Sequence, residues 1–376
     1  MEPLHTQGIA LPRLGLGTFK LQGDGCRAAV EGAIGLGYRH IDTAEMYGNE
    51  AEVGDAIQAA GLPRADLHVT TKVWHENLAP DAIRRAFDTS LAKLKLDHVD
   101  LYLVHWPSKT MQLGAVMETL MKLRQDGRTR AIGVANFTVP LLKQAVEEIG
   151  APIACNQVEY HVLLEQSHLL TYLRAKSIPL VAYCPLAQGK ITDNEVLQKI
   201  GAKHDASAAQ VALKWLLDQD HVAAIPKASR VESQQANLDA LKLKLDDEDR
   251  AAIAALPKNQ RLVNPAAFAP DWDCSSPRPR RRAAALVGEG AFAKRRRERG
   301  WRGISRRQRS SRPPLPSRNP LRGSSIHPRP PSEASLRRWE RGRRSQLTYA
   351  NAVSSSCCFS PSASSPAGRA SRPARR

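Results

Sequence analysis

Residues 80–106 read PDAIRRAFDTSLAKLKLDHVDLYLVHW and carry the pattern on which the fold prediction depends. The first part places four large apolar residues on one face of a helix, at spacings of four, four and three residues: Ile83, Phe87, Leu91 and Leu94. The run from Val99 to Val104 is then almost wholly apolar. Strands that are covered on both faces, as in parallel sheets, have this composition. The stretch therefore predicts an amphipathic helix beside a buried parallel strand.

The same alternation extends from the start of the chain to about residue 256. It predicts eight strands, at 14–19, 39–43, 68–74, 99–106, 129–136, 153–159, 178–185 and 222–227. It predicts helices at 26–36, 49–60, 80–96, 113–126, 138–149, 166–176, 207–219 and 230–241, with two extra helices at 193–203 and 246–255. Eight strand–helix units within about 250 residues favour an α/β fold of the closed (β/α)8 TIM-barrel type.

A doubly wound open sheet is the alternative architecture. A sheet of that kind that binds a dinucleotide usually has a glycine-rich turn after its first strand. Gly15 and Gly17 lie inside the first predicted strand instead, and no G-x-G-x-x-G follows them. Gly61, Gly127 and Gly150 stand where helices should end, and Asp246 stands where the last helix should begin. These signals favour the barrel.

The composition changes abruptly after Asp273. Residues 274–376 contain 26 Lys and Arg against four Glu, a net charge of +22, whereas residues 1–273 have a net charge of −4. Because the second segment is rich in Arg, Pro and Ser and has few large apolar residues, it cannot bury enough surface to offset its ordering entropy. We predict a barrel domain at 1–273 and a disordered basic tail at 274–376.

The tail has two interpretations. Its charge would attract polyanions such as nucleic acid or an acidic membrane, but it has few aromatic residues for base stacking. An Arg, Pro, Ser and Ala-rich run is also what a GC-rich gene yields when it is read in a shifted frame or past its stop codon. We therefore expect no specific nucleic-acid partner and no membrane partner.

Cysteine usage and hydropathy bound the class of protein. The six cysteines have no spacing typical of a metal site or a disulfide framework, so we predict no metal and a reducing compartment. The N-terminus shows no basic segment followed by an apolar core, and no uncharged apolar run approaches the roughly 20 residues of a membrane span. These features predict a cytoplasmic protein, which we expect to be a monomer.

Polar and titratable residues lie at or just after the ends of the predicted strands, where the active sites of barrels are found. They are Asp42, Tyr47, Lys72, Trp74, His105, Trp106, Asn136, Gln157, Tyr183 and Lys227. Taken singly, Asp42 could cap a helix, Lys72 could be a paired core lysine, and His105 could be a hydrogen-bonded core histidine. Asp, Tyr, Lys and His at one barrel mouth are harder to explain by packing alone.

Six stretches resemble the motifs of the aldo-keto reductase family, in its order and spacing. They are residues 40–50 (HIDTAEMYGNE), 71–74 (TKVW), 104–107 (VHWP), 133–137 (GVANF), 156–159 (NQVE) and 225–227 (IPK). The resemblance extends over about residues 8–273. Within the family, the chain is similar to the bacterial 2,5-diketo-gluconate reductases of the B type, which also act on small aldehydes such as methylglyoxal. The resemblance implies reduction of a carbonyl compound by hydride transfer from NADPH.

The resemblance also implies a role for each catalytic residue. Tyr47 would be the general acid, and a nearby Lys72 ammonium would lower the pKa of a phenol that is otherwise about 10. Asp42 would hold Lys72 charged and in place, and His105 would orient the substrate oxygen. Trp74, Trp106 and Trp272 would line the substrate pocket.

The cofactor residues follow from the same resemblance. Tyr183 would stack on the nicotinamide, Asn136 and Gln157 would hold its carboxamide, and Lys227, Arg230 and Asn237 would bind the adenosine end. Two cations after the last strand suit a 2′-phosphate and so NADPH. Four positions depart from the family, because Ala135, Cys184 and Ala228 replace common serines and Ser233 replaces an Arg that grips this phosphate. The alternative function is a regulatory subunit of the same fold that binds the cofactor without turnover.

Overall fold

The computed structural model describes residues 1–273, and the predicted tail at 274–376 lies outside these residues. An N-terminal antiparallel hairpin consists of β1 (Leu4–Thr6) and β2 (Ile9–Leu11). Eight parallel strands follow, and each pairs with the next in chain order. They are β3 (Leu16–Gly17), β4 (His40–Asp42), β5 (His68–Val73), β6 (Val99–Val104), β7 (Thr129–Ala135), β8 (Ile153–Glu159), β9 (Leu180–Tyr183) and β10 (Val222–Ala224).

The first and last parallel strands meet, which closes the barrel. Leu14 forms a parallel bridge with Ala224, and the N–H of Gly15 donates to the carbonyl of Ala224 at 2.9 Å. The N–H of Gly17 donates to the carbonyl of Pro226 at 3.2 Å. A Cβ at Gly17 would lie 2.7 Å from the carbonyl oxygen of Ile225, so only glycine permits this approach. Closure confirms the (β/α)8 barrel and excludes the open sheet.

The helices surround the strands, as the apolar periodicity predicted. They are α1 (Gly23–Gly35), α2 (Glu50–Ala60), α3 (Pro80–Leu94), α4 (Leu113–Gln125), α5 (Val139–Lys143), α6 (Ser167–Ala175), α7 (Glu195–Lys203), α8 (Ala208–Leu217), α9 (Val231–Asp239) and α10 (Asp247–Ala254). Residues 144–148 continue α5 as one π-helical turn. Gly61 ends α2 with φ 62°, and the Asp246 side chain caps α10 through the N–H of Asp249. These two predicted caps are therefore confirmed.

The hairpin of β1 and β2 closes the N-terminal end of the barrel. Its Ile9 and Leu11 are buried in a cluster with Leu101 and Leu103 of β6. The Thr6 hydroxyl donates to a β8 carbonyl at 3.0 Å. The hairpin was not predictable from the sequence, because two strands of three residues are too short to show a period. Since one end is plugged, the polar strand ends at the other end form the accessible mouth.

Candidate active site

A fully buried lysine lies at the centre of the barrel mouth. Lys72, on β5, donates from Nζ to Oδ1 of Asp42 at 2.5 Å and to the carbonyl of Thr43 at 2.8 Å. The same Nζ lies 3.4 Å from the hydroxyl of Tyr47. The structure therefore brings Lys72 beside Asp42 and Tyr47, which lie 30 and 25 positions before it in the chain.

Burial and the neighbouring carboxylate shift the pKa of this lysine in opposite directions. Burial lowers the pKa of Lys72, and the carboxylate of Asp42 opposes that shift. A buried charge is costly unless it is paired and hydrogen-bonded. The second carboxylate oxygen of Asp42 accepts a hydrogen bond from Nε2 of Gln157 at 2.8 Å. This pairing fixes the direction in which the Lys72 ammonium points.

Tyr47 lies in a short 3₁₀ turn after β4, which a buried side chain holds in place. Asn49 is fully buried and accepts a hydrogen bond from the Thr43 hydroxyl at 2.8 Å. Its Nδ2 donates to the carbonyls of Thr18 at 2.8 Å and Leu21 at 2.9 Å. Asn49 thus fastens the loop on both sides of the tyrosine. Asn49 lies within the motif at residues 40–50, but the sequence alone predicted no role for it.

A glutamate from the same turn orders the neighbouring loop. The carboxylate of Glu45 accepts from the backbone N–H of Trp74 at 2.9 Å and from Nδ2 of Asn77 at 2.5 Å. Burial raises the pKa of Glu45, whereas these two hydrogen bonds lower it. Glu45 therefore positions the tryptophan that the sequence assigned to the substrate pocket.

His105 follows β6 and faces the tyrosine. Its ring centroid lies 5.5 Å from that of Tyr47 and 5.3 Å from that of Trp74. Burial, together with the nearby Lys72 ammonium, holds the pKa of His105 well below its ordinary value, so the ring is neutral at physiological pH. Among residues 1–273, its Nδ1 has no hydrogen-bond partner. A neutral imidazole carries one N–H donor and one acceptor.

The predicted carboxamide ligands are hydrogen-bonded to other protein groups. Asn136, with φ 62°, donates from Nδ2 to the carbonyl of His105 at 2.9 Å. Its Oδ1 accepts from the hydroxyl of Tyr183 at 2.8 Å. Tyr183 is only partly buried at the end of β9, so Asn136 fixes the hydroxyl end of the ring that is predicted to stack on the nicotinamide. The roles of Asn136 and Gln157 in holding a carboxamide stay predictions.

Two exposed cations lie beyond β10, at the N-terminus of α9. Lys227 and Arg230 are exposed, and Arg230 is the N-cap residue without a side-chain capping bond. Helix N-termini favour anions, because their first N–H groups lack intrahelical partners. Asn237 is buried on the same helix. This donor set fits a phosphate group, and Ser233 lies partly buried in the first turn.

Aromatic side chains line the mouth above His105. Trp74 and Trp106 are 5% and 3% exposed, and Phe268 packs edge-on against them with centroid distances of 5.4 and 5.2 Å. Trp272 lies 6.0 Å from Trp106. The three predicted tryptophans therefore share one wall. Phe268, which joins them, was not predicted from the sequence.

Three further structural features are absent from residues 1–273. This part of the chain has no cluster of three His, Cys, Asp or Glu side chains suited to a metal ion. It also has no helix that is both long and apolar enough to cross a membrane. Cys26, Cys155 and Cys184 form no disulfide there.

Comparisons with known proteins agree with this geometry. Residues 13–258 match the model of the aldo/keto reductase family. The chain is 43% identical over 268 residues to methylglyoxal reductase DkgB of Escherichia coli O157:H7, covering 70% of this chain and 100% of that protein. It is 42% identical over 260 residues to glyoxal reductase of Bacillus subtilis strain 168, covering 69% of this chain and 93% of that protein.

A solved structure gives the same result. A protein assigned as 2,5-diketo-D-gluconic acid reductase B superimposes with a TM-score of 0.71 at 41% identity, covering 73% of this chain and 98% of that one. The family reduces carbonyl groups with nicotinamide cofactors. The buried Lys72–Asp42 pair beside Tyr47, the closed barrel and these similarities lead to one conclusion: the chain belongs to the aldo/keto reductase family and is an oxidoreductase.

Proposed function

We propose that this chain is an NADPH-dependent reductase of small aldehydes and ketones, including compounds such as methylglyoxal and 2,5-diketo-gluconate. The observation that carries the proposal is the Lys72 ammonium held 3.4 Å from the Tyr47 hydroxyl by a buried carboxylate. The relatives named for methylglyoxal and 2,5-diketo-gluconate reduction support the substrate class. The aromatic wall formed by Trp74, Trp106 and Phe268 suits a small, partly apolar carbonyl compound.

The residues at the mouth have different roles in protonating the carbonyl oxygen of the substrate. A bound nicotinamide supplies the hydride that reaches the carbonyl carbon. Tyr47 donates its hydroxyl proton to the oxygen, and the Lys72 ammonium stabilises the phenolate that remains. Asp42 keeps that ammonium charged and aimed at the tyrosine. His105, neutral because of its burial, donates a hydrogen bond that orients the substrate oxygen.

The simplest test is oxidation of NADPH in the presence of methylglyoxal. Turnover that depends on both compounds supports the reductase. Binding of NADPH without turnover, across a panel of aldehydes and ketones, would favour the regulatory alternative.

The preference for NADPH predicts a selective effect of Lys227→Ala. Loss of a charged partner of the 2′-phosphate should weaken NADPH binding by roughly 10- to 150-fold, or about 1.5–3 kcal/mol. NADH binding should hardly change, because NADH lacks that phosphate. Fluorescence titration with both cofactors measures the difference, and Lys199→Ala, an exposed lysine on α7, is the matched control. Equal losses for the two cofactors would show that Lys227 does not contact the phosphate.

The proposed domain boundary predicts that the tail is dispensable for chemistry. Asp273 accepts a hydrogen bond from the N–H of Val139 at 2.8 Å, so a chain that ends at residue 273 keeps this contact. Truncation there should leave kcat and KM for an uncharged aldehyde nearly unchanged. It should also abolish binding to heparin, because residues 1–273 are net negative.

Truncation after Asp271 is the contrasting variant. It removes Trp272 from the pocket wall together with Asp273 and its contact to Val139, and it should raise KM. A large loss of activity on removing only residues 274–376 would contradict the proposed boundary.

A further inference from the structure

Residues 261–273, which we call the C-terminal strap, follow α10 and reach the aromatic wall without forming a helix or strand. The strap is tied to itself at two points. The N–H of Ala269 donates to the carbonyl of Pro265 at 2.8 Å, and Nε1 of Trp272 donates to Oδ1 of Asn264 at 2.8 Å. These contacts make it one ordered unit rather than a loose loop.

A buried carboxylate holds the beginning of the strap. Glu159, the last residue of β8, is fully buried. Its two oxygens accept from the backbone N–H groups of Leu262 at 2.7 Å and Val263 at 2.9 Å. Nε2 of His161 lies 3.0 Å from the same carboxylate. Hydrogen bonds to an ionised acceptor are roughly twice as strong as neutral ones.

A second carboxylate holds the end of the strap. Oδ2 of Asp273 accepts from the N–H of Val139, the first residue of α5. Thr138, the N-cap residue, makes no side-chain capping bond, so Asp273 satisfies a helix donor from 134 positions away. A negative charge at a helix N-terminus is also favoured by the helix dipole.

The pocket wall lies between these two ties. Phe268 packs on Trp74 and Trp106, and Trp272 packs on Trp106. The guanidinium of Arg261 lies 3.8 Å from the centroid of the Trp272 ring. The strap thus contributes two aromatic side chains to the mouth. One of its anchors, Glu159, belongs to the barrel, and the other, Asp273, is a strap residue that binds to the barrel.

We propose that Glu159 and Asp273 are positioning residues that set the size of the carbonyl substrate by fastening the strap across the mouth. The inference rests on the proposed reductase function. Neither residue touches the reacting atoms; each acts through the aromatic wall. Releasing one tie should let the wall move outward, which weakens contacts to a small substrate and admits a bulkier one.

Asp273→Ala in the full chain tests the tie at the exposed end. The variant loses one charge–helix contact at a partly exposed position, so we expect KM for methylglyoxal to rise about 3- to 10-fold. We expect kcat at saturation to change little. The ratio of kcat/KM for a bulky aromatic aldehyde to that for methylglyoxal should increase. Asp273→Asn keeps an acceptor oxygen, so its KM should stay closer to the wild-type value than that of Asp273→Ala. Asp271→Ala, which changes an exposed strap residue, should behave as wild type.

Tryptophan fluorescence gives a readout that does not need turnover. If the tie holds Trp272 against Trp106, Asp273→Ala should shift the emission to longer wavelength as the ring gains water. The shift should disappear when Trp272→Phe is introduced into both the wild-type chain and the Asp273→Ala variant. Glu159→Gln, which keeps one acceptor oxygen, should change KM in the same direction.

Two outcomes distinguish a failure of the positioning role from a failure of the proposed function. An unchanged KM, substrate ratio and emission in Asp273→Ala would overturn the positioning role. Absence of turnover by the wild-type chain would refute the proposed function instead, while the fluorescence comparison would still decide whether the tie holds the wall.

Discussion

Tyr47→Phe is expected to lower kcat for methylglyoxal by at least about 100-fold, because it removes the hydroxyl proton that lies beside the Lys72 ammonium. The phenyl ring can keep the packing of the tyrosine, whose centroid lies 5.0 Å from Phe19 and 5.5 Å from His105. NADPH binding should therefore stay close to the wild-type value. Steady-state kinetics and a cofactor titration on the same sample measure both quantities.

A second tyrosine serves as the control for this substitution. Tyr160 is buried, and its hydroxyl donates to Oε1 of Gln219 at 2.8 Å. Tyr160→Phe also removes one hydroxyl, and it should leave kcat nearly unchanged. Near-normal turnover by Tyr47→Phe would mean that another group supplies the proton, and the proposed mechanism would be wrong.

Asp42→Asn is expected to destabilise the fold as well as the site. Lys72 is fully buried, and its charge is compensated by Asp42 at 2.5 Å. Removing one partner of a buried ion pair leaves an uncompensated charge and costs about 3–5 kcal/mol. Since burial already lowers the pKa of Lys72, loss of the carboxylate should lower it further. Urea denaturation measures the free energy of unfolding.

The double variant Asp42→Leu with Lys72→Met separates stability from catalysis. Replacing both partners by apolar side chains removes the buried charges together, so most of the lost stability should return. Activity should not return, because no ammonium remains beside Tyr47. A single Asp42→Asn variant as stable as wild type would show that the carboxylate is not needed to compensate the lysine.

The strand and helix pattern was predictable because it depends on neighbours in the chain. The helix face of α3 and the apolar run of β6 follow from side-chain periods of 3.6 and 2 residues. The proposed catalytic residues were identifiable from the sequence for a related reason. In a parallel barrel all strands end at the same mouth, so Asp42, Lys72 and His105 had to converge once the strands were placed.

Contacts between distant residues could not be predicted in this way. Nothing local to Gln157 indicates that its amide donates to Asp42, 115 positions away, and nothing local to Asp273 indicates that it binds the N-terminus of α5. Phe268 was missed for the same reason, since it lies in a segment without a period and gains its role only by packing on two tryptophans.

The amino-acid pattern was enough to predict the barrel, the residues at its mouth and the change of charge after residue 273. How those residues are held depends on the folded chain, through the Lys72–Asp42–Gln157 hydrogen bonds and the two ties of the C-terminal strap. The physical reason is the range of the interactions. Periodicity and backbone propensity act over a few residues, whereas a buried charge or a helix N-terminus takes its partner from whichever segment the packed chain brings within about 3 Å.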